Sequence, residues 1–296
     1  MIKEEDWNGR YASAAGEKRR KRRRRRRRIR RFFTTLLVLA LAAGWFYWQQ
    51  NGLSTETIVV DSAPDGFAGY RIAVISDLHA KEFGENNERL LRFVEGLEPD
   101  LIAITGDILH EEAQLAMVPA VAEGLAAIAP TYYVTGNHEW AAGAVRELEP
   151  LLETCGVRVL SNEYVMLEQN GDRLALLGAE DSNGYADQKT VGELADEVRR
   201  EQGDVYQLLL SHRNNRYEEY AAAGVDLTLS GHAHGGLIRL PGTDGLIGPQ
   251  REWMPDYTAG LYDLSYGQMV VSRGLGNQLP AFRLFNRPDV PLVVLQ

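Results

Sequence analysis

The sequence predicts an α/β or mixed α+β domain, with buried central sheets and outer helices, behind a single N-terminal apolar helix. Three observations carry that expectation. Short apolar runs recur through residues 56–296, helix-period segments lie between several of them, and 17 uncharged residues follow a block of bases near the N-terminus. The 296 residues, 45% apolar and 25% charged, suffice for a sizeable core and have an ordinary globular composition. A collagenous, wholly disordered or multi-span membrane chain is thereby excluded. Cys155 is the sole cysteine, so neither an intrachain disulfide nor a cysteine-based zinc site is available.

The formal charge of -9 hides a split. Residues 1–50 hold 15 of the 32 Lys and Arg and only four acids, leaving 17 bases and 37 acids for the rest. The two parts must be read separately. Residues 18–31 are basic except at Ile29, a block that repels itself and gives no fold of its own. Residues 32–48 are uncharged, and at ~1.5 Å per residue they span roughly 26 Å, close to a bilayer core of ~30 Å. They end in Trp45-Phe46-Tyr47-Trp48, side chains suited to a membrane–water interface. The reading preferred is a retained signal-anchor, with bases 1–31 inside on anionic lipid and the body outside the cytoplasmic membrane. A cleaved export signal, with Ala40-Leu41-Ala42 as its site, is a second reading; aromatic bulk after that site argues for retention. Arg30-Arg31 before Phe32-Phe33 also resembles a twin-arginine signal, weakly, since any pair in the block would match. A nucleic-acid-binding arm is the third. The apolar run fits it poorly and an acidic body repels a phosphate backbone, so nucleic acid is not an expected partner.

The body's elements follow in order. Residues 57–60 form a strand after a polar connector. Apolar runs at 71–75, 101–104, 132–134, 174–177, 207–210, 227–229 and 269–271 are short and continuous, as strands buried on both faces are. Helical periodicity covers about 85–96, 112–128, 142–154, 190–200 and 214–223. The domain division is therefore a basic tail at 1–31, a membrane segment at 32–48, a linker at 49–55 and one domain at 56–296.

The six histidines sort in a way that structural histidines have no reason to: each lies shortly after a predicted strand. They occur in Asp77-Leu78-His79, Gly106-Asp107-Ile108-Leu109-His110, Gly136-Asn137-His138-Glu139, Ser211-His212 and Gly231-His232-Ala233-His234-Gly235-Gly236. Ligand sites in open sheets form beyond the carboxyl ends of strands. Carboxylate, imidazole and amide oxygen together suit hard-to-borderline divalent cations. Alternation in Asp77-Leu78-His79 and His232-Ala233-His234 places both donors of each pair on one side of an extended segment. Each motif alone is common by chance; five in this order at strand ends are not.

This order of motifs resembles the calcineurin-like metallophosphoesterase superfamily over roughly residues 56–296. Segments such as Tyr257-Thr258-Ala259-Gly260-Leu261 and Ser272-Arg273-Gly274-Leu275-Gly276-Asn277 are similar to a bacterial membrane-associated or exported branch. The resemblance implies a four-layer αββα sandwich with a two-metal centre. One metal takes Asp77, His79, Asp107 and His234, the other Asp107, Asn137, His212 and His232, with Asp107 bridging. The implied activity is hydrolysis of a phosphomonoester, phosphodiester or pyrophosphate by in-line attack of metal-held hydroxide, with His138 donating a proton or hydrogen bond and Glu139 supporting from behind. The donor types fit Mn, Fe or Zn without choosing among them.

The chain departs from relatives at three places. His110 stands where many carry an aspartate that orients the catalytic histidine. Arg213-Asn214-Asn215-Arg216 replaces a proline-containing segment, and its arginines are candidate anion contacts, as is Arg273. Leu237 replaces a common glutamine, and Asp181 is a candidate cleft residue. The expected substrate is a phosphorylated small molecule or a lipid-linked phosphate. A lipid-pyrophosphate hydrolase would need an apolar lip, for which residues 253–255 and 279–282 are candidates, although ordinary core is the simpler reading of both. A non-catalytic metal-binding scaffold is the alternative from another class.

Overall fold

A computed structural model describes residues 5–240, 243–248, 251–277 and 282–296, with side chains described from Gly16 onward. Contacts divide the chain into two compact units, Met1–Trp48 and Gln49–Gln296.

The first unit is helical. Helix α1 (Glu5–Asn51) continues through the arginine block and the apolar run. The expectation that the block has no fold of its own is corrected here. Arginine is a strong helix former, and the block is continuous with an apolar helix that removes the cost of nucleation. The side chains of Phe32, Phe33, Leu37, Leu39 and Leu41 are all exposed. The segment Gly16–Asn51 is long and apolar enough to cross a membrane.

The second unit holds two six-stranded mixed sheets. The first contains β1 (Thr57–Val60), β2 (Arg71–Ile75), β3 (Leu101–Thr105), β4 (Thr131–Val134), β5 (Arg158–Val159) and β12 (Leu292–Leu295), in the order β1-β12-β2-β3-β4-β5. The second contains β6 (Glu163–Gln169), β7 (Asp172–Ala179), β8 (Tyr206–Arg213), β9 (Leu227–Gly231), β10 (Gly260–Asp263) and β11 (Gln268–Val271), in the order β10-β11-β9-β8-β7-β6. Within the first sheet β2, β3, β4 and β5 run parallel, and β12 lies antiparallel to β2. Within the second β7, β8, β9 and β11 run parallel, with β6 and β10 antiparallel at its edges.

Strand alternation builds the layers. Ile72, Val74, Leu101 and Ala103 of the first sheet share a buried cluster with Leu174, Leu176, Leu208 and Leu210 of the second, so the sheets face each other. The opposite faces pack on helices. Ala73, Ile75, Ile102 and Ile104 meet α2 (Glu88–Glu95), α3 (Val118–Ile128) and α5 (Val145–Thr154). Ala175, Leu177 and Leu209 meet α6 (Val191–Gln202) and α7 (Tyr217–Ala223). The result is the four-layer αββα sandwich. Helix α6 begins with a reciprocal cap: Glu193 N donates to Thr190 Oγ1 and Thr190 N donates to Glu193 Oε2.

The expected strands and helices are present, with boundaries shifted by a few residues. The helix expected at 142–154 is α5, and a short helix outside the expectation, α4 (Asn137–Ala141), precedes it, started by Glu139 at its third position accepting from Gly136 N. Four strands lay outside the expectation. Edge strand β6 has polar ends around Tyr164-Val165-Met166-Leu167, and only Val165 is buried. Its hairpin turn, Asn170-Gly171, has φ of 49° and 92°, the backbone that Asn-Gly favours.

Candidate metal centre

The carboxyl ends of β2, β3, β4, β8 and β9 carry the predicted donors, and the structure brings them together. His212 lies inside β8, one residue from its end, since that strand runs further than its apolar core. Asp77, His79 and His234 form one group of converging donor atoms; Asp107, His212 and His232 form another. Asp107 Oδ2 stands 3.3 Å from His212 Nε2 and 3.7 Å from His79 Nε2, so one carboxylate oxygen reaches toward both groups. Asn137 Oδ1 is 3.1 Å from His212 Nε2, which places it in the second group. His138 Nε2 is 3.9 Å from Asp107 Oδ2, at the edge of both.

The backbone is strained where the donors sit. Asp77, His79, Asp107, His232 and His234 all have φ between 48° and 67°, the left-handed region that costs a non-glycine residue energy. The turns are held by close packing. A Cβ on Gly231 would lie 1.8 Å from Ser76 Oγ and 2.5 Å from Asp77 Oδ2, so only glycine fits there. Glu139 is fully buried, and its carboxylate accepts from the backbone nitrogens of Asp107, Gly136 and Leu109. It fixes two donor-bearing loops against each other, the supporting role expected of it.

The donor set fits cations. His212 Nδ1 is 2.8 Å from Thr105 O, to which it donates. Its Nε2 therefore presents a lone pair in the neutral ring, and three electron-pair donors stand close to that nitrogen: Asp107 Oδ2, Asn137 Oδ1 and His232 Nδ1. In the other group His79 Nε2 and His234 Nε2 face each other at 3.2 Å, with Asp77 Oδ1 3.5 Å from the latter. Lone pairs converging with so few protons between them suit divalent ions.

Charge follows the same pattern. Burial pushes the pKa of Asp77 and Asp107 up, but the facing imidazoles (His234 first for Asp77, His212 first for Asp107) outweigh it and hold both carboxyls below the usual range. Burial, aided by His234 and His212 respectively, pushes His79 and His232 down to about 3. His212 goes the other way, to about 10, because the charge of Asp107 outweighs burial. Ionised carboxylates and neutral rings are the forms that bind metal, and His212 carries the proton that a cation would replace.

Residues 70–236 match the calcineurin-like phosphoesterase family. The chain belongs to that family. As a calcineurin-like phosphoesterase it is a metal-dependent hydrolase of phosphoric esters, a class built on dinuclear metal centres. It is 28% identical over 249 residues to YkuE, an uncharacterized metallophosphoesterase of Bacillus subtilis, covering 81% of this chain and 84% of that one. It is 28% identical to the Escherichia coli phosphodiesterase YaeI, over 78% of this chain and 84% of that one. It is also 27% identical to a zebrafish (Danio rerio) transmembrane protein with a metallophosphoesterase domain, over 81% of this chain and 56% of that one.

The departures from this phosphoesterase family resolve individually. Arg213 is bidentate on Asp181, at 2.7 and 3.0 Å, and Arg216 pairs with Glu219, so both arginines are committed to carboxylates. Asp181, Arg213 and Arg216 do line a cavity of about 350 Å³. Arg273 donates to Asp289 Oδ1 at 2.8 Å, so it too is paired with a carboxylate. The support withdrawn by Leu237 comes from the C-terminal segment. Asn286 Nδ2 donates to His234 O and Leu237 O, and His234 Nδ1 lies 3.3 Å from Gly276 O. Arg283, fully buried, donates to that same Gly276 carbonyl at 2.7 Å.

Five supports were missed in the sequence, Asn286 among them. Ser76 Oγ donates to Asp77 Oδ2 at 2.6 Å, and its adjacency to Asp77 was a readable signal. Thr105 and Gly276 act through carbonyls, which every residue has. Arg283 lies 49 residues after His234 with no pattern linking them. In the candidate lip, Trp253 and Met254 are 71% and 61% exposed, which corrects the reading of them as core. Leu279, Pro280 and Ala281 lie outside the described residues.

Proposed function

We propose that this calcineurin-like phosphoesterase is a membrane-tethered, two-metal hydrolase that cleaves a phosphomonoester, phosphodiester or pyrophosphate bond by in-line displacement. The observation carrying this reading is the position of Asp107 Oδ2, 3.3 Å from His212 Nε2 and 3.7 Å from His79 Nε2, one ring from each donor group. In this reading Asp77, His79, Asp107 and His234 hold one cation. Asp107, Asn137, His212 and His232 hold the other. Two such cations supply positive charge to polarise the phosphoryl group and acidify water.

The chain's own residues do the rest. Asp107 offsets the repulsion between the ions. Ser76 occupies Asp77 Oδ2 and so leaves Oδ1 directed at His234. Thr105 O fixes the ring of His212, a restraint that keeps Nε2 aimed inward. His138 is half-buried, and its backbone nitrogen donates to Asp107 Oδ1 at 2.9 Å, setting where the side chain starts. Its ring donates a hydrogen bond or proton to the leaving oxygen.

Residues 32–48 serve as a single-pass anchor in the cytoplasmic membrane. The basic tail at 1–31 lies on anionic lipid inside, a linker follows at 49–55, and the domain at 56–296 works outside. The zebrafish relative's description as a transmembrane protein supports the tether. A phosphorylated small molecule is the first substrate class. The exposure of Trp253, Met254 and Leu240 favours a lipid-linked phosphate as the second. The test is turnover of bis-nitrophenyl phosphate, nitrophenyl phosphate and a pyrophosphate-linked lipid by metal-loaded full-length protein. Chelator-sensitive hydrolysis is expected, and its ranking assigns the bond. Two bound metals with no turnover of any of the three would contradict the reading.

A further inference from the structure

His110 is the one histidine without a role in this scheme, and its place in the fold gives it one. Its ring lies with its centroid 4.5 Å from that of His138, the planes tilted by 33°. The two rings meet nearer to face-on than to edge-on. This is not how an orienting residue grips a neighbour's N–H. One ring nitrogen from each of His79, His110 and His138 falls within 4.8 Å of the others. His110 is exposed and His138 is half-buried, whereas His79 is buried, so the pair lines the open side of the group.

The loop beneath His110 is fixed. His110 N and Glu111 N both donate to Gln114 Oε1, at 2.7 and 2.9 Å, and Leu109 N donates to Glu139 Oε1. Ala80 N donates to Ile108 O at 2.7 Å, tying this loop to the one that carries His79. A side chain on so restrained a loop is held in position before any ligand arrives. A third cation is a poor occupant beside it. The three rings bring no carboxylate, and two cations would already stand on the other side of His79. The complementary occupant is an anion.

We propose that His110 is a catalytic residue that contacts the substrate, donating a ring hydrogen bond to a phosphoryl oxygen beside His138. The two imidazoles form a clamp on the side of the phosphate nearer His79. This assignment rests on the phosphoesterase reading of the metal centre.

The test uses full-length, metal-loaded protein in detergent, with inorganic phosphate as the binding probe in calorimetry and bis-nitrophenyl phosphate as substrate. His110→Ala should weaken phosphate binding by about 10- to 100-fold, the range for one hydrogen bond to a charged group. Metal content and melting temperature should not change. His110→Gln, which keeps a donor, should recover part of the affinity. His110→Asp restores the residue many relatives carry and separates the two roles. If His110 touches phosphate, a carboxylate there repels it, and binding falls below that of the alanine variant. Recovery of binding and turnover by His110→Asp would overturn the proposal in favour of a positioning role. Unchanged binding in His110→Ala, or loss of a metal, would overturn it as well. Wild-type protein that holds two metals yet neither binds phosphate nor turns over ester would instead contradict the phosphoesterase reading itself.

Discussion

The two donor groups are not built to the same standard. In the group of Asp107, Asn137, His212 and His232, the ring of His212 is fixed by a 2.8 Å bond to Thr105 O. Asp107 is gripped from both sides, with Oδ1 accepting from His138 N and its own backbone nitrogen bonded to Glu139. In the group of Asp77, His79 and His234, the corresponding ring contact, His234 Nδ1 to Gly276 O, is 3.3 Å. His79 Nδ1 is buried with no hydrogen-bond partner. Partners behind a ligand typically change metal affinity by ~10–100-fold. The carboxylates of both groups are held, Asp77 by Ser76 Oγ and His232 N, so the difference lies in the rings, and we infer that the first group binds its ion more tightly and the second exchanges its ion more readily.

The largest effect that can break this comparison is removal of the shared carboxylate. Asp107→Ala should empty both sites and lower kcat/KM by at least about 10³-fold, since metal charge supplies several kcal/mol at the transition state. Elemental analysis after gel filtration reads the metal loss directly. Retention of two metals would break the bridging assignment. Next come paired variants at the two groups. His212→Ala should leave no tightly held ion, whereas His79→Ala should leave one. Equal losses from both would show the groups to be equivalent.

A smaller effect sharpens the difference. Ser76→Ala removes the 2.6 Å bond to Asp77 Oδ2, leaving the one from His232 N at 3.1 Å, and should weaken the second ion by about 10-fold with little change at the first. The smallest lies away from the centre. Glu180 is half-buried, and burial, followed by the charge of Glu149, pushes it up from 4.5 to about 7. The folded state therefore binds its proton more tightly than the unfolded chain does. That contribution is complete below pH 4.5 and is lost as pH rises through about 7. Melting temperature measured across this window should fall less in Glu180→Gln than in wild type. Parallel curves would mean that Glu180 titrates normally.

The convergence of the seven candidate donors and His138 was legible in sequence because metal chemistry confines residue types and because strand ends gather them. The central strands were legible for a similar reason, since burial on both faces leaves continuous apolar runs such as 207–210. What was illegible was whatever acts through the backbone or over long sequence distances. Thr105 and Gly276 contribute carbonyls, and Arg283 reaches the His234 loop from a distant segment. The carboxylate partners of Arg213 and Arg273 were not readable because a lone arginine in sequence does not reveal its carboxylate. Asp181 and Asp289 are 32 and 16 residues away. The edge strand β6 escaped notice, although its apolar run Tyr164-Val165-Met166-Leu167 and the Asn170-Gly171 turn after it were usable marks.

The most direct test of a shared but unequal two-metal centre is a calorimetric titration of the metal-free full-length protein with Mn or Zn. The account predicts two ions per chain in two resolved steps, the first tighter by about 10- to 100-fold, with the second step alone weakened in Ser76→Ala. A single ion per chain, or two indistinguishable ions that Ser76→Ala weakens equally, would contradict it.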